Sequence, residues 1–295
     1  MSEASSSPAG ADGDTPFELQ YFLPDPDLAE MVSSFYFVRI DMPLFDESER
    51  ADRPQFRIMS HAEGEYIFPD GHCFPAKRAT IIGPTSGSVR ARGNGPLRIY
   101  GFGMMPAGWA TLMGEHADKL TDRAMDAADL FGDWIDEVIE ALVNAEDTAA
   151  RLVIGNNFVR EILKKNEAAP VWFTRTVDQW LTESPSPQVH DLVEATGMSI
   201  RSVERMTKHY YGLSPRMLAR KYRAVRAASA LARGQTLDDV QLGDAFYDQS
   251  HLIREMKRFA GATPGQLARP SQYTEATTRG RQQLAGKVSP LVSDT

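Results

Sequence analysis

Residues 244–269 read DAFYDQSHLIREMKRFAGATPGQLAR. The stretch combines the end of a turn, a helix from about Gln249, a glycine stop at Gly261 and a proline-marked helix start at Thr263-Pro264. Its helix carries Arg254, Lys257 and Arg258. A basic, solvent-facing helix behind a tight turn suits a DNA groove better than a protein core.

The same pattern stands earlier in the chain. Residues 205–215 read RMTKHYYGLSP and residues 254–264 read REMKRFAGATP, so Arg, Lys, an aromatic residue, Gly, a hydroxyl residue and Pro recur in register. Such an echo indicates a duplicated unit. Upstream of the first copy, QVHDLVEATG predicts a short helix closed by Gly197. Ser199 then caps a second helix, closed by Gly212. Two short helices around a glycine turn form a helix-turn-helix. Leu192, Val193, Ala195, Ile200, Val203 and Met206 supply its apolar seam. Arg201, Ser202, Glu204, Arg205 and Lys208 occupy the opposite face, with Arg suited to guanine, Glu to cytosine and Lys to phosphate. A long helix from Ser214-Pro215 follows, with a positive edge of Arg216, Arg220, Lys221, Arg223, Arg226 and Arg233, and it joins the two units. TLDDVQLGDAFYD then predicts the first helix and turn of the second unit, capped by Thr236.

Charge supports this division. The chain has a net charge of −8, yet residues 188–269 hold 13 Lys and Arg against 8 Asp and Glu, a net of +5. An acidic body with a basic end points to a polyanionic partner at that end. No apolar run reaches the roughly 18 residues of a membrane span, so no membrane partner is expected. The first 18 residues lack the basic and apolar regions of a secretory signal. The single cysteine, Cys73, excludes an intrachain disulfide, and a cytoplasmic location is expected.

From Phe17 to Pro106, short runs such as FELQYFL, SSFYFVRI, RATIIG and LRIYGFGM alternate with turn residues, notably Pro69-Asp70-Gly71 and Gly93-Asn94-Gly95-Pro96. They predict a small β-barrel or sandwich. The titratable residues His61, Glu63, Glu65, Asp70, His72 and Cys73 lack metal-barrel spacing, and no metal or cofactor is expected. No nucleophile elbow, P-loop or dinucleotide fingerprint occurs, so no catalytic residues are assigned and no enzyme is expected. Tyr66, Phe68, Phe74, Tyr100 and Phe102 are either core or the lining of a ligand pocket. Helical periodicity takes over from Met105 to Asn166. The predicted architecture is α+β. A disordered N-terminus (1–16) precedes a barrel domain with trailing helices (17–166), a DNA-binding domain with two helix-turn-helix units (167–272) and a flexible tail (273–295).

The C-terminal residues resemble the AraC/XylS family of bacterial transcription regulators. The likeness rests on Phe246, Asp248, Gln249, Ser250, Arg254, Lys257, Gly261, Thr263 and Pro264 and covers about Val171 to Arg269. Gln241, Ala245, Leu252 and Met256 depart from the usual pattern, Gln241 putting the packing of its helix in question. The β-region is similar to the cupin-like, barrel-type sensing domains of such regulators. The resemblance implies a reader of double-stranded DNA with Arg201, Ser202, Glu204 and Arg205 facing bases from the first unit, and Gln249, Ser250, Ile253 and Arg254 from the second. Arg254 either reads a base or anchors the helix. A small-molecule effector, RNA polymerase and a second copy of the chain are the further partners to consider. The alternatives are a regulator whose N-terminal domain only dimerises, and a small-molecule enzyme in the β-domain.

Overall fold

A computed structural model describes residues 16–167 and 169–295. The expected disorder of residues 1–16 lies, apart from Pro16, outside the described residues.

The N-terminal domain is built on two antiparallel sheets. The larger orders its strands β1 (Phe17–Phe22), β2 (Val32–Ile40), β9 (Leu97–Met104), β4 (Gln55–Met59), β7 (Ala79–Ile82) and β10 (Ala124–Asp126). The smaller orders β3 (Leu44–Glu49), β8 (Val89–Asn94), β5 (Glu65–Ile67) and β6 (Cys73–Pro75). No ladder joins the two sheets among the described residues, so of the barrel or sandwich expected from the sequence the domain has two open sheets facing one another. The strand β3, unforeseen in the sequence, holds three acids in six residues. It forms because Asp46 faces Arg90 and Arg92 across the ladder, Nε to carboxylate distances being 2.5 and 3.2 Å.

Strand alternation divides the aromatic residues between two cores. One face of the large sheet presents Phe35, Phe56 and Phe102 to α1 (Pro106–Met113), α3 (Trp134–Val143) and α4 (Thr148–Leu163). The short α2 (Ala128–Phe131) adds Phe131 to that cluster. The other face turns Phe17, Ile40 and Ile82 toward Phe45, Tyr66 and Val89 of the small sheet. At Gly101 a side chain would strike the Tyr36 ring at 2.4 Å, so that glycine makes room for an inward tyrosine.

The C-terminal domain is helical: α5 (Trp172–Glu183), α6 (Val189–Thr196), α7 (Ile200–Tyr211), α8 (Pro215–Ala232), α9 (Gln249–Ala260) and α10 (Pro264–Leu267). As the sequence suggests, α8 serves both units. Leu218 and Tyr222 join the core of the first, and Ala227 and Ala228 the core of the second. Two expectations need correction. The first helix of the second unit is reduced to two 3-10 turns, Asp238–Val240 and Gly243–Ala245, because Gln241 between them adopts a left-handed φ of 58°. The tail is not free chain: α11 (Gln272–Gln282) and α12 (Pro290–Ser293) pack back on the protein, with Leu291 and Val292 buried. Its apolar and aromatic residues have cover there; Tyr273, for example, meets Phe17 and Phe45 at 5.8 and 5.6 Å. Among the described residues, no helix is long and apolar enough to cross a membrane.

One short connector, Arg50 to Arg53 between β3 and β4, clamps the two domains. The Ala51 amide donates to the Phe259 carbonyl of α9 at 2.6 Å. Arg53 donates to the Leu291 carbonyl at 2.8 Å. The Asp52 carboxylate pairs with Arg281, and its carbonyl accepts from Lys221 of α8. Lys221 therefore faces inward, not along the positive edge expected of α8. Burial lowers the Lys221 amine to about 7, with Asp52 opposing the shift and Arg53 and Arg281 reinforcing it. The folded chain thus binds fewer protons than the unfolded chain between about pH 7 and pH 10.4. Stability should rise with pH across that window, with a limiting slope of about 1.4 kcal/mol per pH unit from this group. Lys221→Met should remove the slope in urea titrations between about pH 7 and pH 9.5. Equal slopes in both proteins would show that the amine titrates normally.

Candidate nucleic-acid interface

The two candidate reading helices, α7 and α9, each have 12 residues and are built alike at both ends. At the start, the Ser199 hydroxyl accepts from the Ser202 amide at 3.2 Å, and the Asp248 carboxylate from the His251 amide at 2.6 Å. At the end, Gly212 and Gly261 adopt left-handed φ values of 73° and 72°. Ser214 and Thr263 then cap the next helices, each with proline at its first position. The echo read from the sequence is thus a repeat of helix-ending geometry.

On α7, Arg201, Glu204, Arg205 and Lys208 are exposed and Ser202 is half-buried; together they line one shallow depression. Their spacing places them on a single helix face. On α9, Gln249, Ser250, Arg254 and Lys257 are exposed, while Ile253 is half-buried. Among the described residues, none of Arg201, Glu204, Arg205, Lys208, Arg254 and Lys257 forms an ion pair. The structure therefore presents all ten candidate residues on two helices. Two of the six expected seam residues, Ala195 and Ile200, lie instead at the surface. Ile200, the first residue of α7, is 58% exposed, and Tyr247, just before the α9 cap, is 94% exposed. Sequence reasoning assigned Ile200 to the core and passed over Tyr247. Periodicity alone could not have found Ile200, which stands three residues before buried Val203 on the same helical stripe.

The helices differ in how their backs are held. Val203 and Thr207 bury the back of α7, with Leu192 of α6 in the same core as Val203. On α9, Met256 and Phe259 are fully buried, and Glu255, 3% exposed, accepts two bonds from Arg220 of α8 at 2.7 and 3.1 Å. Arg220, expected on a positive edge, is a brace for α9. Both helices rest their C-terminal ends on the β-domain. Thr121 donates to the Gly212 carbonyl at 2.9 Å, and Ser88 and Ala51 amides donate to the Arg258 and Phe259 carbonyls at 2.8 and 2.6 Å. These carbonyls end helices and have no intrahelical partner, so the β-domain satisfies them. At the same contact His209 of α7 meets His116 with ring centres 4.2 Å apart, and burial followed by the His116 charge lowers its pKa.

The β-domain residues weighed for chemistry are dispersed. Among the described residues no group of three His, Cys, Asp or Glu side chains converges on a metal-sized site. Asp70 pairs with Arg123 at 2.8 Å, and Cys73 is exposed. Of the five aromatic residues, Tyr66 lines the cavity between the sheets, whereas Phe68, Phe74, Tyr100 and Phe102 belong to the cores.

Paired, capped reading helices with open basic faces define a DNA-binding transcription regulator. Residues 192–270 match the family described as a helix-turn-helix domain, and residues 20–126 match a domain of unknown function, DUF6597. The C-terminal region is a helix-turn-helix domain of the AraC type. No curated protein matches the chain. Among solved structures, ToxT from Vibrio cholerae O395 is similar at 8% identity, covering 88% of this chain and 97% of that one with a TM-score of 0.45. Wild-type ToxT from V. cholerae strain SCE256 with unsaturated fatty acid bound is similar at 8% identity, covering 83% and 96%, TM-score 0.45. The AraC-like transcriptional activator CuxR is similar at 12% identity, covering 76% and 90%, TM-score 0.31.

Proposed function

We propose that the protein is a two-headed, sequence-specific DNA reader whose β-domain, a counterpart of cupin-like sensing domains, sets the position of both heads in response to a small molecule. The observation that carries this reading is the attachment of the reading helices. Their N-terminal halves are free, while their last carbonyls are bonded to β-domain donors. A shift in that domain would move both heads. Arg201, Ser202, Glu204 and Arg205 of α7 and Gln249, Ser250, Ile253 and Arg254 of α9 face the bases, and Lys208 and Lys257 take phosphates. Ile200 and Tyr247 add apolar surface suited to a thymine methyl group or a sugar edge.

Selection of bound duplexes from a random pool is the direct test. The expected site has two short boxes about one helical turn apart, read by two units on one face of the duplex. Recovery of a single box would remove the second head from the reading, and recovery of unselected sequence would remove specificity altogether.

A further inference from the structure

The two reading helices start on different caps. Asp248, the residue before α9, accepts from the His251 amide at 2.6 Å. In return the Tyr247 amide donates to Nδ1 of His251 at 3.2 Å. The two bonds close on each other in the manner of a capping box, with histidine where glutamate or glutamine ordinarily reaches back. Helix α10 shows the ordinary form: Gln266, also three residues after its cap, accepts from the Thr263 amide at 2.9 Å. At the same position α7 carries Ser202, whose hydroxyl meets that of Ser199 at 3.0 Å. The half-buried His251 ring also stands edge-on to Phe246, with centres 5.9 Å apart, and Phe246 belongs to the core of the second unit. One side chain therefore touches Phe246, which points inward, and the backbone of Tyr247, whose own side chain is 94% exposed beside Gln249 and Ser250.

We propose that His251 is a positioning residue for DNA reading: by accepting from the Tyr247 amide it sets the turn 246–248, and with it Tyr247, Gln249 and Ser250, against the second box. This rests on the two-headed reading above. The bond needs a lone pair on Nδ1, so the neutral ring carries its proton on Nε2. A proton added to Nδ1 removes the acceptor and places a cation at the positive end of α9. Histidine is the side chain that ordinarily changes charge between about pH 5 and pH 8. The charged groups around the ring act in both directions. Asp248 at the cap and exposed Asp244 in the preceding 3-10 turn favour the cation. Arg223 of α8, 5.5 Å from the Phe246 ring centre, and Arg254 one turn along α9 oppose it, while Glu255 is engaged by Arg220. Their balance sets the pH at which the bond is lost, not whether it is lost, because a protonated Nδ1 cannot accept. The second head therefore depends on pH through its cap, and the serine cap of the first head does not titrate.

Ring nitrogen chemical shifts of His251 in the full chain test the bond without DNA. At about pH 7.5 they should place the proton on Nε2, and the Tyr247 amide signal should move as the ring titrates. A proton on Nδ1 alone at that pH overturns the bond. Fluorescence anisotropy then tests the positioning, with the selected duplex and a copy whose second box is scrambled, at about pH 7.5 and about pH 5.5 and fixed ionic strength. The ratio of the two affinities should fall about three- to tenfold in the parent on acidification, the size of one lost neutral hydrogen bond. His251→Leu should show the lower ratio already at the higher pH. His251→Asn, whose Oδ1 stands in the place of Nδ1 and does not titrate, should match the parent at the higher pH and keep its ratio at the lower. A Leu variant equal to the parent at the higher pH, a parent ratio indifferent to pH, or an Asn variant that falls as the parent does, overturns the role of His251. A parent that binds both duplexes equally at the higher pH overturns the two-headed reading itself.

Discussion

Asp52→Asn is expected to destabilise the full chain by about 3 kcal/mol in urea unfolding at neutral pH, the cost of breaking a largely buried ion pair from one side. The Asp52 and Arg281 side chains are 20% and 11% exposed. Burial alone would raise the Asp52 pKa, but Arg281, then Arg53 and Lys221, outweigh it and hold the carboxyl at about 2. The substitution would leave these cations facing one another without their shared counter-charge. Linkage gives a second signature. Because the folded pKa lies below the unfolded value near 3.9, the carboxylate's contribution is complete above about pH 4 and is lost as pH falls toward 2. The parent should lose stability across that interval, and Asp52→Asn should lose less. Asp46→Asn is the matched control. It too removes a carboxylate paired with arginine, Asp46 accepting two bonds from Arg90 and one from Arg92, but those arginines are 50% and 40% exposed. Solvent screening should make its effect much smaller. Equal losses from the two substitutions would deny the connector its role as the clamp between domains.

That clamp shows where sequence reading reaches its limit. The residues Arg-Ala-Asp-Arg at 50–53 have the texture of a solvated loop between strands, and nothing local indicates that a helix more than 200 residues away supplies the partner of Asp52. The tail misleads for a related reason. Helix α11 is mostly polar, and its few apolar and aromatic residues make sense only once the open cavity above Phe17 and Phe45 is known. By contrast, the four strand runs quoted from the sequence all form strands, because strand alternation is a local property and two apolar faces were available to receive it. The two reading helices were equally legible: their caps, stops and proline restarts are short-range chemistry repeated twice. The weak first helix of the second unit falls between these cases. Gln241 signals trouble in the sequence, but its left-handed conformation and the resulting pair of 3-10 turns depend on how Leu242 and Phe246 bury themselves beneath α8.

The largest effect on DNA should come from Arg205→Ala. Arg205 stands in the middle of the open face of α7, between Arg201 one turn earlier and Lys208 one turn later. Its side chain is exposed and forms no ion pair among the described residues, so its loss should leave folding nearly untouched. The whole consequence should therefore fall on binding. If the guanidinium reads a guanine edge by two parallel hydrogen bonds, affinity for the selected site should drop by about 1–3 kcal/mol, roughly 5- to 150-fold. Preference at one base position should relax at the same time. Arg205→Lys should not restore it, since a single ammonium cannot reproduce the planar fork. Lys208→Ala provides the contrast. A phosphate contact carries no sequence information, so that change should weaken all duplexes alike and reduce the salt slope by about 1. The distinction lies in the pattern across sequences, not in the size of the loss. A drop for Arg205→Ala that is uniform over specific and random DNA would place Arg205 on the backbone. An unchanged affinity and footprint would take α7 out of the groove.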